Sequence, residues 1–212
     1  MADIEQVIAD YAALDVEVGQ AIAGRALGAC AQCTKPCCRP DVCRQAVESW
    51  WLRRVTQHVH GQWWPDDWET REQCIAMGPG GCVLKAGRPV ICGSFVCDFY
   101  TEAYGHLWEA AFVSFASDLL WDVGQLSSRV HVEELAEDDV PRYAEKLAER
   151  VAEGRRLFEL SRGLLDGGLD DLGKHRVLLE LLCRMPRCFR ATTRRSLLER
   201  LGRFGRQAAP PC

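Results

Sequence analysis

No apolar run in this chain is long enough to cross a bilayer. The longest, Leu107 to Trp121, carries Glu109 and Asp118 and falls short of the roughly 18 to 20 residues a spanning helix needs, so no membrane segment is expected. The opening residues Met1 to Gln6 lack the basic patch and apolar stretch of a secretory signal, which makes the expected location cytoplasmic, where thiols stay reduced. Several catalytic signatures are also missing. There is no Walker loop, no Gly-x-Gly-x-x-Gly, no Gly-x-Ser-x-Gly elbow and no His-Glu-x-x-His. The spaced cysteine triplet of radical enzymes is absent too, because Cys33-x3-Cys37 is followed at once by Cys38. Catalysis is therefore without a signature, and whether the chain is an enzyme stays open.

Charge is not skewed enough to name a partner: the net charge is -4, with 26% charged and 48% hydrophobic residues, an ordinary globular balance. At 212 residues the chain can form one substantial domain or two small ones.

What stands out is cysteine. Twelve cysteines make about 6% of the chain, below the roughly 8 to 10% of short disulfide scaffolds. Nine of them lie between Cys30 and Cys97, followed by Cys183, Cys188 and the terminal Cys212. Such crowding in one segment favours ligands over staples. Cys30-x2-Cys33 is a chelating pair, since two intervening residues let one turn of backbone aim both sulfurs at one metal. The vicinal pair Cys37-Cys38 follows, then Cys74, Cys82, Cys92 and Cys97. Eight thiols are twice four, and four thiolates satisfy either structural zinc or an iron-sulfur cluster, so two sites are arithmetically allowed. Neighbouring side chains in extended backbone point to opposite sides, so Cys37 and Cys38 could serve different sites, or one could ligate while the other packs. A redox dithiol role, or simple burial, competes with ligation for all eight.

The pattern Cys30-x2-Cys33-x3-Cys37-Cys38, followed by Gly81-Cys82 and by Arg88-Pro89-Val90-Ile91-Cys92 with a final Cys97, resembles the zinc- or iron-chelating CxxCxxCC family, also called YkgJ-like. The resemblance covers about Gly28 to Tyr100. It departs from the family by one extra residue before the vicinal pair, by Ile75-Ala76-Met77 where Pro-Phe-Leu is usual, and by Gly93 in place of an arginine. The resemblance implies metal ligation by Cys30, Cys33, Cys37, Cys38, Cys74, Cys82, Cys92 and Cys97, with a 4Fe-4S cluster favoured and Zn2+ the alternative. A flagellin lysine methylase with this type of domain uses such a cluster, but a likeness of fold carries no reaction onto this chain.

Periodicity predicts a mainly helical chain in which helices pack around long irregular cysteine-rich loops. Apolar spacing predicts a helix over Ile4 to Leu27 stopped at Gly28, a second from Asp41 toward His58, and a buried one from Thr101 to about Val123. His60 to Gly81 reads as loop. Beyond it, the acidic run Glu133 to Asp139 reads as a solvated face leading into a helix over Pro141 to Leu165, with Gly167-Gly168 as the stop. Shorter helices over Val177 to Leu182 and Thr192 to Leu201 complete the pattern. The expected division is a cysteine-cluster domain over 1–125 and a helical C-terminal region over 126–212 that either stands alone or joins the same fold.

Four lesser features are weighed against bland explanations. Cys43 is expected to be buried on the second helix, with a spare-ligand role second; Cys183 and Cys188 are further, weaker ligand candidates. His58 and His60 could donate imidazole to zinc but read first as an ordinary surface pair. Trp50, Trp51, Trp63, Trp64 and Trp68 suit either an apolar cover over a metal site or ordinary packing. From Arg184 to Arg206, eight arginines face the single acid Glu199, a local charge of +7. That segment could bind an acidic protein partner; nucleic acid is disfavoured, because no nucleic-acid motif accompanies it.

Overall fold

A computed structural model describes residues 2–31, 40–61, 64, 66–70, 74–78, 81–94 and 107–184. Within them the chain is mainly helical. Helix α1 spans Ile4–Ala31, α2 Pro40–Glu48, α3 Trp50–His60, α4 Val90–Ser94, α5 Leu107–Gly124, α6 Val140–Arg162 and α7 Asp171–Arg184. Two short strands, β1 (Met77–Gly78) and β2 (Gly81–Cys82), pair antiparallel with Met77 opposite Cys82.

Three departures from the sequence reading have local causes. Helix α1 does not stop at Gly28 but runs on to Ala31, so the backbone of Cys30 is helical; a helical glycine costs only about 1 kcal/mol, which a packed helix overrides. The expected second helix is two. Ser49 leaves the helical region (φ -69°, ψ 122°), and its hydroxyl accepts the Leu52 N–H at 3.3 Å, capping α3 afresh. Helix α7 begins at Asp171, well before Val177, and docks through Trp108, whose indole N–H donates to the Asp171 carboxylate at 2.8 Å. The expected helix over Thr192 to Leu201 lies outside the described residues.

The core forms around α5, buried on nearly every side, so its all-round apolar sequence has no solvent face to provide. Helices α1, α4 and α6 pack on it, and α1 also packs on α3 and α6. Tyr11 meets Trp51 edge to face at 5.3 Å between centroids, and Trp51 is 0% exposed. At the α1, α5 and α6 crossing, Gly154 allows close approach: a Cβ there would stand 2.5 Å from Val123 Cγ2. One continuous core runs from Val7 to Leu181 and takes residues from both sides of position 125. Arg155 pairs with Glu17 at 2.7 Å across α6 and α1. Among the described residues no helix is long and apolar enough to cross a membrane.

Candidate thiol site

Of the eight cysteines singled out above, Cys74, Cys82 and Cys92 have described side chains. The side chain of Cys30, and all of Cys33, Cys37, Cys38 and Cys97, lie outside the described residues, as do Cys188 and Cys212. Cys82 and Cys92 are exposed, and so is Cys183 on α7. Cys74 is half-buried and joined by a disulfide to Cys43, a cysteine 31 residues earlier, with the two Cα atoms 5.3 Å apart. Cys43 is 5% exposed, buried on α2 as its helical position implied, but it is paired as well as packed. Around the pair a small apolar cluster gathers Ala46, Val47, Ile75, Ala76 and Leu84, with Trp64 and Trp68 against it. The tryptophans thus divide their labour: Trp51 belongs to the main core, while Trp64 and Trp68 pack beside the sulfur pair. Trp63 lies outside the described residues.

The segment from β2 to α4 carries Cys82 and Cys92 and is tied down from three sides. Asp15 of α1 accepts the Gly87 N–H at 2.7 Å, Glu133 accepts the Val90 N–H at 2.8 Å, and the Thr56 hydroxyl of α3 donates to the Gly87 carbonyl at 3.5 Å. His60 accepts the Lys85 N–H through Nε2 at 3.0 Å, which gives that histidine a structural duty, while His58 is exposed. Gly87 adopts φ +75°, and a Cβ there would strike the Thr56 hydroxyl and stand 2.9 Å from the Leu52 carbonyl oxygen. Only glycine fits this turn without distortion. Beyond it, the Cys92 N–H donates to the Pro89 carbonyl at 2.8 Å and closes the first turn of α4.

Of the two carboxyl groups in this clamp Asp15 is buried and Glu133 partly buried, and loss of solvent dominates the electrostatics of both. Asp15 is pushed up to about 6 by loss of solvent, against the opposing pull of the Arg88 charge and the Gly87 N–H. Glu133 is pushed up to about 8 by burial, again opposed by its N–H donor, here Val90, with the Asp15 and Glu134 charges adding to the rise. Burial likewise carries Tyr11 well above its ordinary value, with Asp15 as the next contributor. The acidic run therefore is not uniformly a solvated face. Glu134 and Glu137 to Asp139 are exposed, whereas Glu133 turns inward to hold the turn before Cys92.

Arg88 lies against Gly19 of α1, where a Cβ would stand 2.5 Å from its Nη2. Its Nε is buried and has no hydrogen-bond partner among the described residues. Atoms packed around the Cys82 thiol push its pKa up although the residue is exposed; the Leu84 backbone and the Arg88 charge act the other way. Among the described residues no three His, Cys, Asp or Glu side chains come together as a metal-holding group.

No protein-family model matches the chain, and neither a curated protein nor a solved structure is similar to it. The clamp residues Asp15, Thr56 and Glu133 were not singled out from the sequence as parts of a site, whereas Cys43 was read as buried first and as a spare ligand second. For the clamp no sequence signal exists, because each residue reaches the turn from a distant element. Cys43 offered one: it stands five residues after a vicinal cysteine pair, on a short helix.

Proposed function

We propose that this chain is a cysteine-ligated metal protein of the YkgJ-like kind, with a 4Fe-4S cluster the favoured group and Zn2+ the alternative. The ligands are drawn from Cys30, Cys33, Cys37, Cys38, Cys74, Cys82, Cys92 and Cys97. The observation that carries this reading is the meeting of Cys74 with Cys43 of α2, in an apolar cluster that includes Leu84 of the tied-down segment bearing Cys82 and Cys92. Two thiolates on one tetrahedral metal stand about 3.8 Å apart, given metal-sulfur bonds of about 2.3 Å. The Cα atoms of Cys43 and Cys74, 5.3 Å apart, suit that arrangement as well as a disulfide, with Cys43 then acting as a spare ligand beside the eight.

The surroundings suit a thiolate-bound group. Such a group is anionic, and the Arg88 guanidinium beside Cys82 has a buried Nε with no hydrogen-bond partner among the described residues. Trp64 and Trp68 provide an apolar flank that limits water, and the carboxylate clamp fixes the turn from which Cys92 departs. When bound, a cluster would supply one-electron chemistry, which fits electron transfer or modification of a partner; zinc would supply folding energy to an interaction module or a store of metal. A reducing, cytoplasmic setting keeps these thiols available. The arginine-rich sequence from Arg184 to Arg206 is the part of the chain we assign to an acidic protein partner.

Substitution tests the ligand set. Cys33→Ser and Cys92→Ser should each lower the metal content of the purified protein, while Cys212→Ser should leave it unchanged. Equal loss in all three would mean that misfolding, not lost ligation, sets the metal content, and the ligand assignment would fail.

A further inference from the structure

A groove of about 650 Å³ opens where α2, α3, α4, the end of α5 and the turn after His131 meet. Its chemistry is one-sided. Glu48 and Glu134 supply carboxyl groups, Glu133 adds one that burial holds largely protonated at neutral pH, Trp50 and Trp121 supply aromatic walls, and no lysine or arginine is among its described lining residues. His131 adds no charge. Its Nδ1 accepts the Glu133 N–H at 3.3 Å, so the proton sits on Nε2, which donates to the Trp121 carbonyl at 3.3 Å. The imidazole also stacks on the Trp121 indole, with centroids 5.0 Å apart and planes 25° from parallel. Trp121, 36% exposed, is thereby held in place at the rim of the groove. Gly124 makes this possible, since a Cβ there would overlap the His131 ring. The nearby Arg54 stands 5.9 Å from the centre of the Trp50 ring, but its charge is already taken by Glu5 at 2.5 Å.

From these residues we infer that the groove binds the side chain of an arginine presented by a peptide. Aromatic walls attract cations through their ring faces, and carboxylates attract them by charge. A guanidinium answers both features at once: it is planar, stacks on indole, and offers a fork of N–H donors to a carboxylate, whereas an ammonium is a compact, strongly hydrated point charge. Volume and lining favour a peptide over a free head group. The groove is within the usual size range of ligand pockets and far larger than one guanidinium, and Val90, Leu135 and the 46% exposed Ile91 offer apolar surface for an alkyl stem and flanking residues. Ile91 also precedes Cys92, which puts the bound peptide beside the thiol-bearing helix. Binding here does not depend on metal, so it stands or falls apart from the function proposed above.

The test is calorimetric titration of the full-length protein with a blocked Ala-Arg-Ala tripeptide, its lysine and citrulline analogues, and methylguanidinium. The arginine peptide should bind at least tenfold more tightly than the neutral citrulline peptide and than methylguanidinium, and more tightly than the lysine peptide. Trp121→Leu and Glu134→Gln, both at exposed positions, should each weaken it at least fivefold, while Glu159→Gln on the exposed side of α6 should not. Failure of the arginine peptide to bind at millimolar concentration, or citrulline binding as well, would overturn the inference. Lysine binding as tightly would remove the guanidinium, methylguanidinium binding as tightly would remove the peptide, and an equal effect of Glu159→Gln would reduce the site to bulk charge.

Discussion

Replacing Glu133 by glutamine should stabilise the protein at pH 8.5 and leave it unchanged or slightly weakened at pH 5. Glu133 holds its proton far more tightly when folded than when unfolded, its pKa moving from an ordinary 4.5 to about 8 through burial. A carboxyl shifted upward in this way favours the folded state fully below the unfolded value, and that stability is lost as pH rises toward the folded one. At about 1.4 kcal/mol per unit, the loss between pH 4.5 and 8 has an upper limit of about 5 kcal/mol. Glu133 is partly reached by solvent and coupled to Asp15, so about 1 to 3 kcal/mol is the expected size. Glutamine keeps an oxygen to accept the Val90 N–H but cannot ionise. The variant should therefore lack most of the fall in stability between pH 6 and 8, and its advantage at pH 8.5 corresponds to roughly 3 to 10 °C in Tm for a chain of this size. Circular dichroism melts of parent and variant from pH 5 to 9, under one reducing condition, measure it. A difference between the two that stays constant with pH would refute the reasoning, and so would a variant less stable at pH 8.5.

Three further outcomes follow from particular contacts. Gly87→Ala should destabilise by about 2 to 4 kcal/mol in urea unfolding, because the new methyl meets Thr56 and the backbone must leave φ +75°. Gly154→Ala should destabilise by about 1 to 2 kcal/mol in the same assay, against the gain of about 1 kcal/mol that helix propensity alone would give, because the methyl enters the contact with Val123. Cys43→Ser should make Cys74 alkylate at least tenfold faster under non-reducing conditions, read by peptide mass spectrometry, with Cys82 and Cys92 unchanged; equally fast alkylation of Cys74 in the parent would contradict the pairing.

Much of the helical framework was legible in the sequence because it rests on periodic burial. The residues Val7, Ile8, Tyr11, Leu14 and Val18 form the buried face of α1 that their spacing predicted, and the all-round apolar stretch after Leu107 became the central helix. Boundaries were less legible. Gly28 looked like a stop but packing carried the helix past it, and Ser49 looked like helix interior although a hydroxyl so placed can cap a new helix as readily. The site was legible only as composition. Cysteine spacing marks thiol chemistry, but the partners that hold Cys92 in place come from α1, α3 and the turn after His131, 36 to 77 residues away along the chain from Cys92, and nothing local announces them. Glu133 shows the limit most clearly: in a run of acids it reads as one more solvated charge, and only the fold makes it the carboxyl that faces inward.

The most direct test of the central claim is metal and acid-labile sulfide analysis, with an ultraviolet-visible spectrum, on protein purified without oxygen from cells grown without added zinc. Iron with sulfide, and a visible absorbance that bleaches on reduction, is the predicted result. Zinc without sulfide would contradict the cluster and leave a structural metal site, and a folded protein with neither metal would contradict cysteine ligation altogether.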